Sequence, residues 1–258
     1  DPSWLLPFAE PRFAWLALAA VLAGLVLGFS GFGAAMMFMP IASAAYDPVT
    51  AIATNKAQGA AGAASSALAF ARARLVDWRA AAPVALVAGA ASVLGALSVT
   101  SIDRRALEAA APALLVAIAL YFLLAPRLSD DDARARIGPG LFAATLAPLV
   151  GFYDGVFGPG AGSFYMIGFV SLAGYGIVRA TAHTKIANAA SNLGSLGLYA
   201  ATGAVVWPVG IAMAVFAFLG AQVGARLAMR LGARLIRPLL VAVCCVMALK
   251  LLADPANP

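Results

Sequence analysis

The sequence predicts an all-α polytopic membrane protein made of two inverted repeats. Of its 258 residues, 63% are hydrophobic and only 11% are charged, whereas soluble domains carry about 25% charged residues. Apolar stretches of about 20 residues recur along the chain, and each is long enough to cross the hydrocarbon core of a bilayer. The second half of the chain also repeats the order of segments found in the first half.

The first repeat, at about 11–126, contains five predicted helical segments. The second of these is short and apolar, and it is interrupted by Pro40. The third is rich in small residues and carries Asn55, Lys56 and Gln58 near its start. The five segments are predicted at 11–29, 31–46, 49–70, about 80–100 and about 106–126.

The second repeat, at about 137–253, follows a polar loop at 127–136 and has the same order of segments. Whether the short segments at 31–46 and 160–175 cross the membrane or re-enter it stays open. The chain is therefore predicted to contain eight to ten transmembrane helices in a single domain, 1–258. The segments of the second repeat are predicted at about 138–157, 160–175, 178–200, 207–228 and 235–252.

A constant offset of half the chain length relates the two repeats without a gap from Lys56 onward. Lys56 then matches Lys185, and Trp78 matches Trp207. Matches between alanines arise easily in this composition, but a lysine and a tryptophan shared in one register indicate duplication. An odd number of crossings in each repeat makes the two repeats inverted. Transporters with this architecture bind their substrate near the midplane, at short or broken helices.

The lysine and arginine residues predict which loops face the cytoplasm. Most of them lie in the loops at 71–79, 127–136, 176–179 and 226–237, which the segment order places on one side. The positive-inside rule makes that side cytoplasmic and puts both termini on the outer, periplasmic side. The net charge of +6 is explained in this way, and no nucleic-acid partner is expected.

Two lysines within apolar segments, Lys56 and Lys185, are the first candidates for a binding site. A charged side chain inside a membrane costs several kcal/mol, so it usually faces a cavity or a charged partner. Helix ends at the nearby breaks offer N–H groups that favour anions. Together these features predict a site for a small anion. In the alternative reading, the lysines snorkel to an interface or form structural ion pairs with Asp47 and Asp154.

Polar side chains near Lys185 supply candidate hydrogen bonds for an anion. Asn188 and Asn192 follow Lys185 at i+3 and i+7, on the same helical face. The alternative is that they form the interhelical hydrogen bonds common in membrane bundles. A glycine-rich break upstream offers backbone N–H groups as well. The predicted substrate-binding residues are Lys56, Lys185, Asn55, Thr184, Asn188, Asn192, Gly158, Gly160, Gly162 and Ser163.

Two titratable residues are candidates for carrying a proton. Asp154 is a carboxylate at the end of its predicted span, and its counterpart in the first repeat is read from the sequence as Ser30. His183 titrates near neutral pH in its free form. The alternatives are that Asp154 is tied to Lys185 or His183, and that His183 is a hydrogen-bonded packing residue.

The motifs in this chain resemble those of the TauE/SafE family of sulfite exporters, also called TSUP permeases. The resemblance rests on GFYDGVFGPGAGSF from Gly151, AHTKIANAASNLGS from Ala182, and the first-half copy GFSGFGAAMMFMP with ATNKAQ. It covers essentially the whole chain, although Ala161 stands where members commonly have threonine in GPGTGS. It implies a multi-pass carrier in the bacterial or archaeal cell membrane, with sulfite, sulfoacetate or other organosulfonates as substrate.

The function expected from these observations is secondary transport, with export as the expected direction. A small sulfur-containing anion would bind at a midplane site and be released by alternating access between the repeats. The alternatives are a passive anion channel and a carrier of small carboxylates. An enzyme is not expected, since no nucleophile motif, metal site or intramembrane carboxylate pair is present in the sequence. No cofactor is expected, and a homodimer is left open.

Overall fold

The structure, a computed structural model, describes residues 11–30, 48–99, 101, 113, 116–124, 129–158 and 160–253. The described residues form α-helices joined by short turns, as predicted for an all-α protein. The predicted segment at 31–46 and Asp47 lie outside them. A helical stretch at 116–124 lies between the third and fourth helices named here. The helices are α1 (Pro11–Ser30), α2 (Pro48–Arg72), α3 (Trp78–Leu97), α4 (Pro139–Ala144), α5 (Leu146–Val156), α6 (Ala161–Ser171), α7 (Ile177–Ala201), α8 (Trp207–Leu231) and α9 (Ala233–Ala253).

The boundaries of the helices follow local sequence signals. Asp77 is the N-cap of α3, and its carboxylate accepts a hydrogen bond of 3.0 Å from the N–H of Arg79. Proline occupies the first turn of α4 and of α8, where its missing N–H costs nothing. The predicted span at 138–157 is divided at Thr145, whose hydroxyl bonds back to Leu141 O at 2.7 Å. Such bonding back to the preceding turn bends helices.

The helices α5 and α6 form a hairpin whose two open ends lie together. The N–H groups of Arg136 and Ile137, just before α4, donate to the carbonyl oxygen of Leu172, just after α6, at 2.8 and 3.1 Å. With 11 residues, α6 is about 16 Å long and too short to cross a core of about 30 Å. The segment at 160–175 therefore turns back toward the end where α4 begins.

The tip of this hairpin lies inside the helix bundle. Asp154, near the end of α5, accepts a hydrogen bond from Asn192, the sixteenth of the 25 residues in α7. A helix of 25 residues is about 37 Å long, so the tip lies about 24 Å from the start of α7. Chain breaks at such depth occur where protein or a water-filled cavity surrounds them, not where lipid does.

The helices α2 and α7 occupy equivalent places in the two halves. Both have 25 residues, and α7 begins and ends half a chain length after α2. The helix pairs also match, since α8 packs against α1 and α2 while α3 packs against α5 and α7. Contact between α2 and α7 joins the two sets. These contacts are those expected of related halves, and the inverted repeat itself stays a prediction.

Small residues allow the closest helix contacts. Gly155 of α5 lies against the backbone of Ser92 in α3, where an added Cβ would be 2.1 Å from the carbonyl oxygen of Ser92. Gly24 of α1 lies in the same way against Ala217 of α8, where an added Cβ would be 2.3 Å from the carbonyl oxygen of Ala217. Close backbone approach of this kind is the usual basis of helix association in membranes.

Four connections meet at one end of the helices, which we call the loop face: 73–77, 129–137, 172–176 and the turn at Gly232. Ile177 N–H donates to Ser129 O at 3.0 Å, and Ala233 N–H donates to the Asp130 carboxylate at 3.0 Å. Arg179 lies 3.8 Å from the carboxylate of Asp77 and also pairs with Asp132. The basic loops grouped from the sequence thus lie together. That the loop face is cytoplasmic stays a prediction.

The outer faces of the helices are apolar. Leu86 of α3, Leu149 of α5 and Leu249 of α9 are 76%, 70% and 66% exposed. Among the described residues, Trp78–Leu97 and Trp207–Leu231 are long and apolar enough to cross a membrane by length and composition. The helix α7, by contrast, buries most of its polar side chains. This arrangement, polar inside and apolar outside, suits a lipid environment.

Candidate functional site

The candidate site is centred on an ion pair between α2 and the tip of the α5–α6 hairpin. Lys56 Nζ lies 2.8 Å from Asp154 Oδ1, and both residues are only 2% exposed. Lys56 Nζ also donates to the backbone carbonyl oxygen of Asp154. One ammonium group therefore binds the side chain and the backbone of the same residue.

The backbone contact is explained by the position of Asp154 in the last turn of α5. The last four carbonyl groups of a helix have no N–H partner within the helix. They also carry partial negative charge, which a cation stabilises. Lys56 thus caps the carboxyl end of α5 and neutralises the carboxylate that lies there.

The second oxygen of the Asp154 carboxylate is held by α7. Oδ2 accepts hydrogen bonds from the hydroxyl of Ser191 and, at 3.2 Å, from the side-chain amide of Asn192. The Asn192 amide also donates to the carbonyl oxygen of Asn188 at 2.8 Å, and the Ser191 hydroxyl lies 3.2 Å from the same oxygen. The carboxylate is thereby fixed between α2 and α7, where its acceptor sites are used by neighbouring donors.

The turn between α5 and α6 packs directly against the ion pair. Gly158 and Gly160 have φ values of +91° and +85°, which favour glycine because other side chains are strained there. A Cβ at Gly158 would lie 3.3 Å from Lys56 Nζ and 3.4 Å from Asp154 Oδ1. Glycine at this position therefore permits both the turn and the close approach of its backbone to the charged groups.

Lys185, the equivalent lysine of the second half, lies in a different environment. It is 0% exposed, and its ammonium group donates to the carbonyl oxygen of Leu27 in the last turn of α1. It therefore caps the carboxyl end of α1 as Lys56 caps that of α5. Within the part of the chain that the structure describes, however, no carboxylate lies at ion-pair distance from Lys185.

These contacts identify Leu27 as the counterpart of Asp154 in the first half. Each follows a glycine by three positions, and the carbonyl oxygen of each accepts a hydrogen bond from the lysine of the other half. The glycines set this register, since Gly24 lies on Ala217 and Gly151 on Ala88, two alanines separated by half the chain length. The contacts therefore favour Leu27 over Ser30 as the counterpart of Asp154. A leucine, and not a serine, takes the place of the carboxylate.

The other predicted binding residues are only partly brought to the ion pair. Gly162 and Ser163 are buried in the first turn of α6, and Asn55 is buried beside Lys56 in α2. The Ser163 hydroxyl and the Asn55 side-chain oxygen find no hydrogen-bond partner in the described parts of the chain. Thr184 instead points its hydroxyl at the sulfur of Met166, at 3.9 Å.

His183 lies near the loop face, nine positions before Asn192 and so about 13 Å away along α7. Its Nε2 accepts a hydrogen bond of 3.2 Å from the N–H of Asp77, so the proton is assigned to Nδ1. Nδ1 then donates to the carbonyl oxygen of Arg179 at 2.9 Å. The imidazole ring packs on Tyr175, with 4.7 Å between ring centroids. Nε2 thus ties α7 to the residue that caps α3, whereas Nδ1 bonds within α7.

Sequence reasoning missed three residues of the site: Leu27, Ser191 and Tyr165. Ser191 follows Asn188 by three positions, a helical spacing that was available as a signal. Tyr165 is fully buried, close enough to Asp154 and Ser191 for electrostatic interaction, and its hydroxyl has no hydrogen-bond partner among the described residues. Nothing in the apolar run around Tyr165 marks it as polar in function.

Comparison with protein families places this site in a known context. The family model described as Sulfite exporter TauE/SafE matches residues 16–251, which is nearly the whole chain. The chain belongs to the TauE/SafE family. The family assignment covers both lysines, the α5–α6 hairpin and the polar face of α7.

Individual TauE/SafE relatives agree with a role in membrane transport. The chain is 48% identical over 245 residues to a "Probable membrane transporter protein ORF9" of Sinorhizobium sp, covering 95% of this chain and 94% of the relative. It is 40% identical over 239 residues to a "Probable membrane transporter protein YfcA" of Escherichia coli strain K12, covering 93% and 89%. No solved structure matched the chain. This TauE/SafE protein is therefore a membrane protein of a transporter family that has bacterial members.

Proposed function

We propose that this protein is a secondary transporter of small sulfur-containing anions, such as sulfite or an organosulfonate, and that it acts as an exporter. The anion binds near the middle of the membrane, between the halves, and alternating access exposes it to each side in turn. Membership of the TauE/SafE family and the names of the relatives support a transporter. The choice of an anion rests on the geometry of the site, and the choice of a sulfur-containing one rests on the description of the family as sulfite exporters.

The single observation that carries this proposal is the burial of Lys185 without a carboxylate among the described residues. A buried ammonium ion is costly unless a counter-ion and hydrogen bonds compensate it. Among the described residues, the Leu27 carbonyl supplies one hydrogen bond to an ammonium group that has three N–H donors. An anion that enters this site supplies the missing charge and acceptors, so the protein gains stability by binding it.

Asp154 is the group that we propose for coupling to protons. Its carboxylate neutralises Lys56 and is held by two donors of α7. Protonation of Asp154 would remove the negative charge and leave Lys56 with the carbonyl contact as its one hydrogen bond among the described residues. Anion binding and proton uptake would then be linked, because both change the charge balance at the same pair of lysines.

The hairpin offers the movable part that alternating access requires. Its tip carries Asp154 and two glycines with left-handed backbone, and it ends within the bundle. Transporters of inverted-repeat architecture use such broken helices at the substrate site. In our proposal, movement of the tip relative to α7 opens the site toward one side.

Counterflow in proteoliposomes tests the proposal. Vesicles that contain the wild-type protein and are loaded with unlabelled sulfite should transiently accumulate labelled sulfite from outside. Lys185→Gln should reduce the initial rate of labelled sulfite uptake at least tenfold. Arg230→Gln is the control, because it removes one positive charge from an exposed position in α8 and should leave the rate unchanged. Flux without counterflow would identify a passive channel, and transport of small carboxylates in place of sulfur anions would move the substrate to that class.

A further inference from the structure

The two buried lysines differ in one neighbour, and this difference defines the charge of the site. Lys56 has the carboxylate of Asp154 beside it, whereas Lys185 contacts the backbone carbonyl of Leu27, a residue whose side chain is apolar. The backbone contacts are otherwise the same, since each lysine caps the carboxyl end of a helix from the other half. Among the described residues, the second site thus resembles the first site without its carboxylate.

The charge balance of the described interior follows from its buried ionisable side chains. Lys56, Lys185 and Asp154 are buried. His183 is also buried, but its hydrogen bonds assign it the neutral form. When both lysines are protonated and Asp154 is ionised, the described residues carry two positive charges and one negative charge, and the excess positive charge is located at Lys185.

We propose that this site selects anions that carry a single negative charge, and that the anionic group of the substrate takes at Lys185 the place that Asp154 takes at Lys56. The proposal rests on the proposed function and specifies its substrate class. A monoanion brings the buried charge to zero. A dianion would leave one uncompensated negative charge in the low-dielectric interior, where it is costly.

The residues packed around Leu27 favour the same class. Leu27 lies in an apolar cluster with residues of α2, α3 and α7, namely Ala63, Ala67, Ala81, Ile186 and Ala189. At the other lysine, by contrast, Ser191 and Asn192 donate to the carboxylate. A doubly charged oxyanion needs many donors to replace its hydration, and at Leu27 this cluster presents apolar side chains in their place.

The test compares methanesulfonate with sulfate, because their charges of one and two do not change between about pH 5 and pH 9. Ligand-dependent thermal stabilisation of the purified full chain gives an apparent affinity for each anion. Proteoliposome flux gives a second readout. The wild type should respond to methanesulfonate at a concentration at least tenfold lower than to sulfate.

Leu27→Asp tests the substitution of substrate by a built-in anion. The new carboxylate should neutralise Lys185 and weaken the apparent affinity for methanesulfonate at least tenfold relative to Leu27→Asn. Asparagine is the control because it is nearly as large and as polar as aspartate but carries no charge. Equal responses of these two variants would overturn the proposal. Size-exclusion profiles and unfolding temperatures without ligand establish that both variants are folded.

Asp154→Asn tests the same balance in the opposite direction. The interior then carries two excess positive charges, so the preference for methanesulfonate over sulfate should fall at least tenfold. The double variant, Lys56→Gln with Asp154→Asn, returns the interior to an excess of one positive charge. It should therefore restore the wild-type preference for methanesulfonate over sulfate. These two variants decide the matter if Leu27→Asp does not fold.

The outcomes separate this inference from the proposed function. If the wild type binds and transports sulfate as well as methanesulfonate, the single-charge selection is wrong while anion transport stands. If none of methanesulfonate, sulfate and sulfite stabilises the protein or is transported by it across the vesicle membrane, the proposed function fails together with the inference.

Discussion

Removing one partner of the Lys56–Asp154 pair should destabilise the protein strongly. The substitution Lys56→Gln leaves the Asp154 carboxylate buried without its cation, and it also removes the ammonium group from the end of α5. Both residues are 2% exposed, so water does not replace the lost partner. The reverse substitution, Asp154→Asn, leaves the ammonium group with only the carbonyl contact.

The magnitude follows from the contacts of the pair. Breaking a buried ion pair by removing one partner costs about 3–5 kcal/mol. Because Ser191 and Asn192 still donate to Asp154 in the Lys56→Gln variant, we expect about 3 kcal/mol there. The double variant has no uncompensated charge, so it should lose less than the sum of the single variants. We predict a coupling free energy of about 2 kcal/mol or more, as contacting residues show couplings up to about 3 kcal/mol.

The free energy of unfolding can be measured by reversible unfolding in mixed micelles with increasing sodium dodecyl sulfate. The double-mutant cycle compares four proteins: the wild type, Lys56→Gln, Asp154→Asn and the double variant. A double variant that loses as much as the two single variants together would refute the reasoning, because the pair would then contribute nothing beyond its separate members. Thr202→Ala, whose side chain bonds only to the last turn of α7, is the control and should shift the free energy of unfolding by less than about 1 kcal/mol.

Three further predictions concern packing, the loop face and topology. Gly155→Ala should lower the free energy of unfolding by about 1–3 kcal/mol through overpacking, whereas Gly197→Ala, where a Cβ meets nothing within 4 Å, should be neutral or stabilising in the same assay. Burial alone would raise the pKa of Asp132, but hydrogen bonds from the backbone and from Arg179 lower it below its usual value. The stabilisation by Asp132 should thus be present above about pH 4 and be lost as the pH falls through the lowered pKa. The difference in unfolding temperature between the wild type and Asp132→Asn should therefore shrink only in acid. A cysteine placed at the exposed position Asp131, in a variant whose two native cysteines have been replaced, should react with impermeant maleimide only from the cytoplasmic side. Labelling from outside would contradict the predicted topology.

Much of the helix arrangement is predictable from the sequence because composition and repeat spacing dominate it. The offset of half the chain length, read from Lys56 and Trp78, is also the offset between α2 and α7. The burial of both lysines was expected from the apolar segments around them. The alternative reading, in which Asp154 is an ion-pair partner, correctly anticipated a contact of Asp154 with a lysine, but the lysine is Lys56.

Other features are decided by tertiary packing and leave little trace in the sequence. The apolar segment at 160–175 suits a crossing or a re-entrant helix, and the length of α6 together with the contacts to the residues before α4 decides between them. The counterpart of Asp154 is Leu27 because glycine contacts set the helix register. The distance between His183 and the ion pair depends on where α7 begins.

The measurement that tests the account most directly is anion-dependent thermal stabilisation of the purified protein, wild type against Lys185→Gln. A ligand at a hundred times its dissociation constant stabilises the folded state by about 2.7 kcal/mol, which is readily seen as a rise in unfolding temperature. The account predicts that methanesulfonate raises the unfolding temperature of the wild type and not that of Lys185→Gln. An equal rise in both proteins would show that the anion binds elsewhere and that Lys185 has a structural role alone.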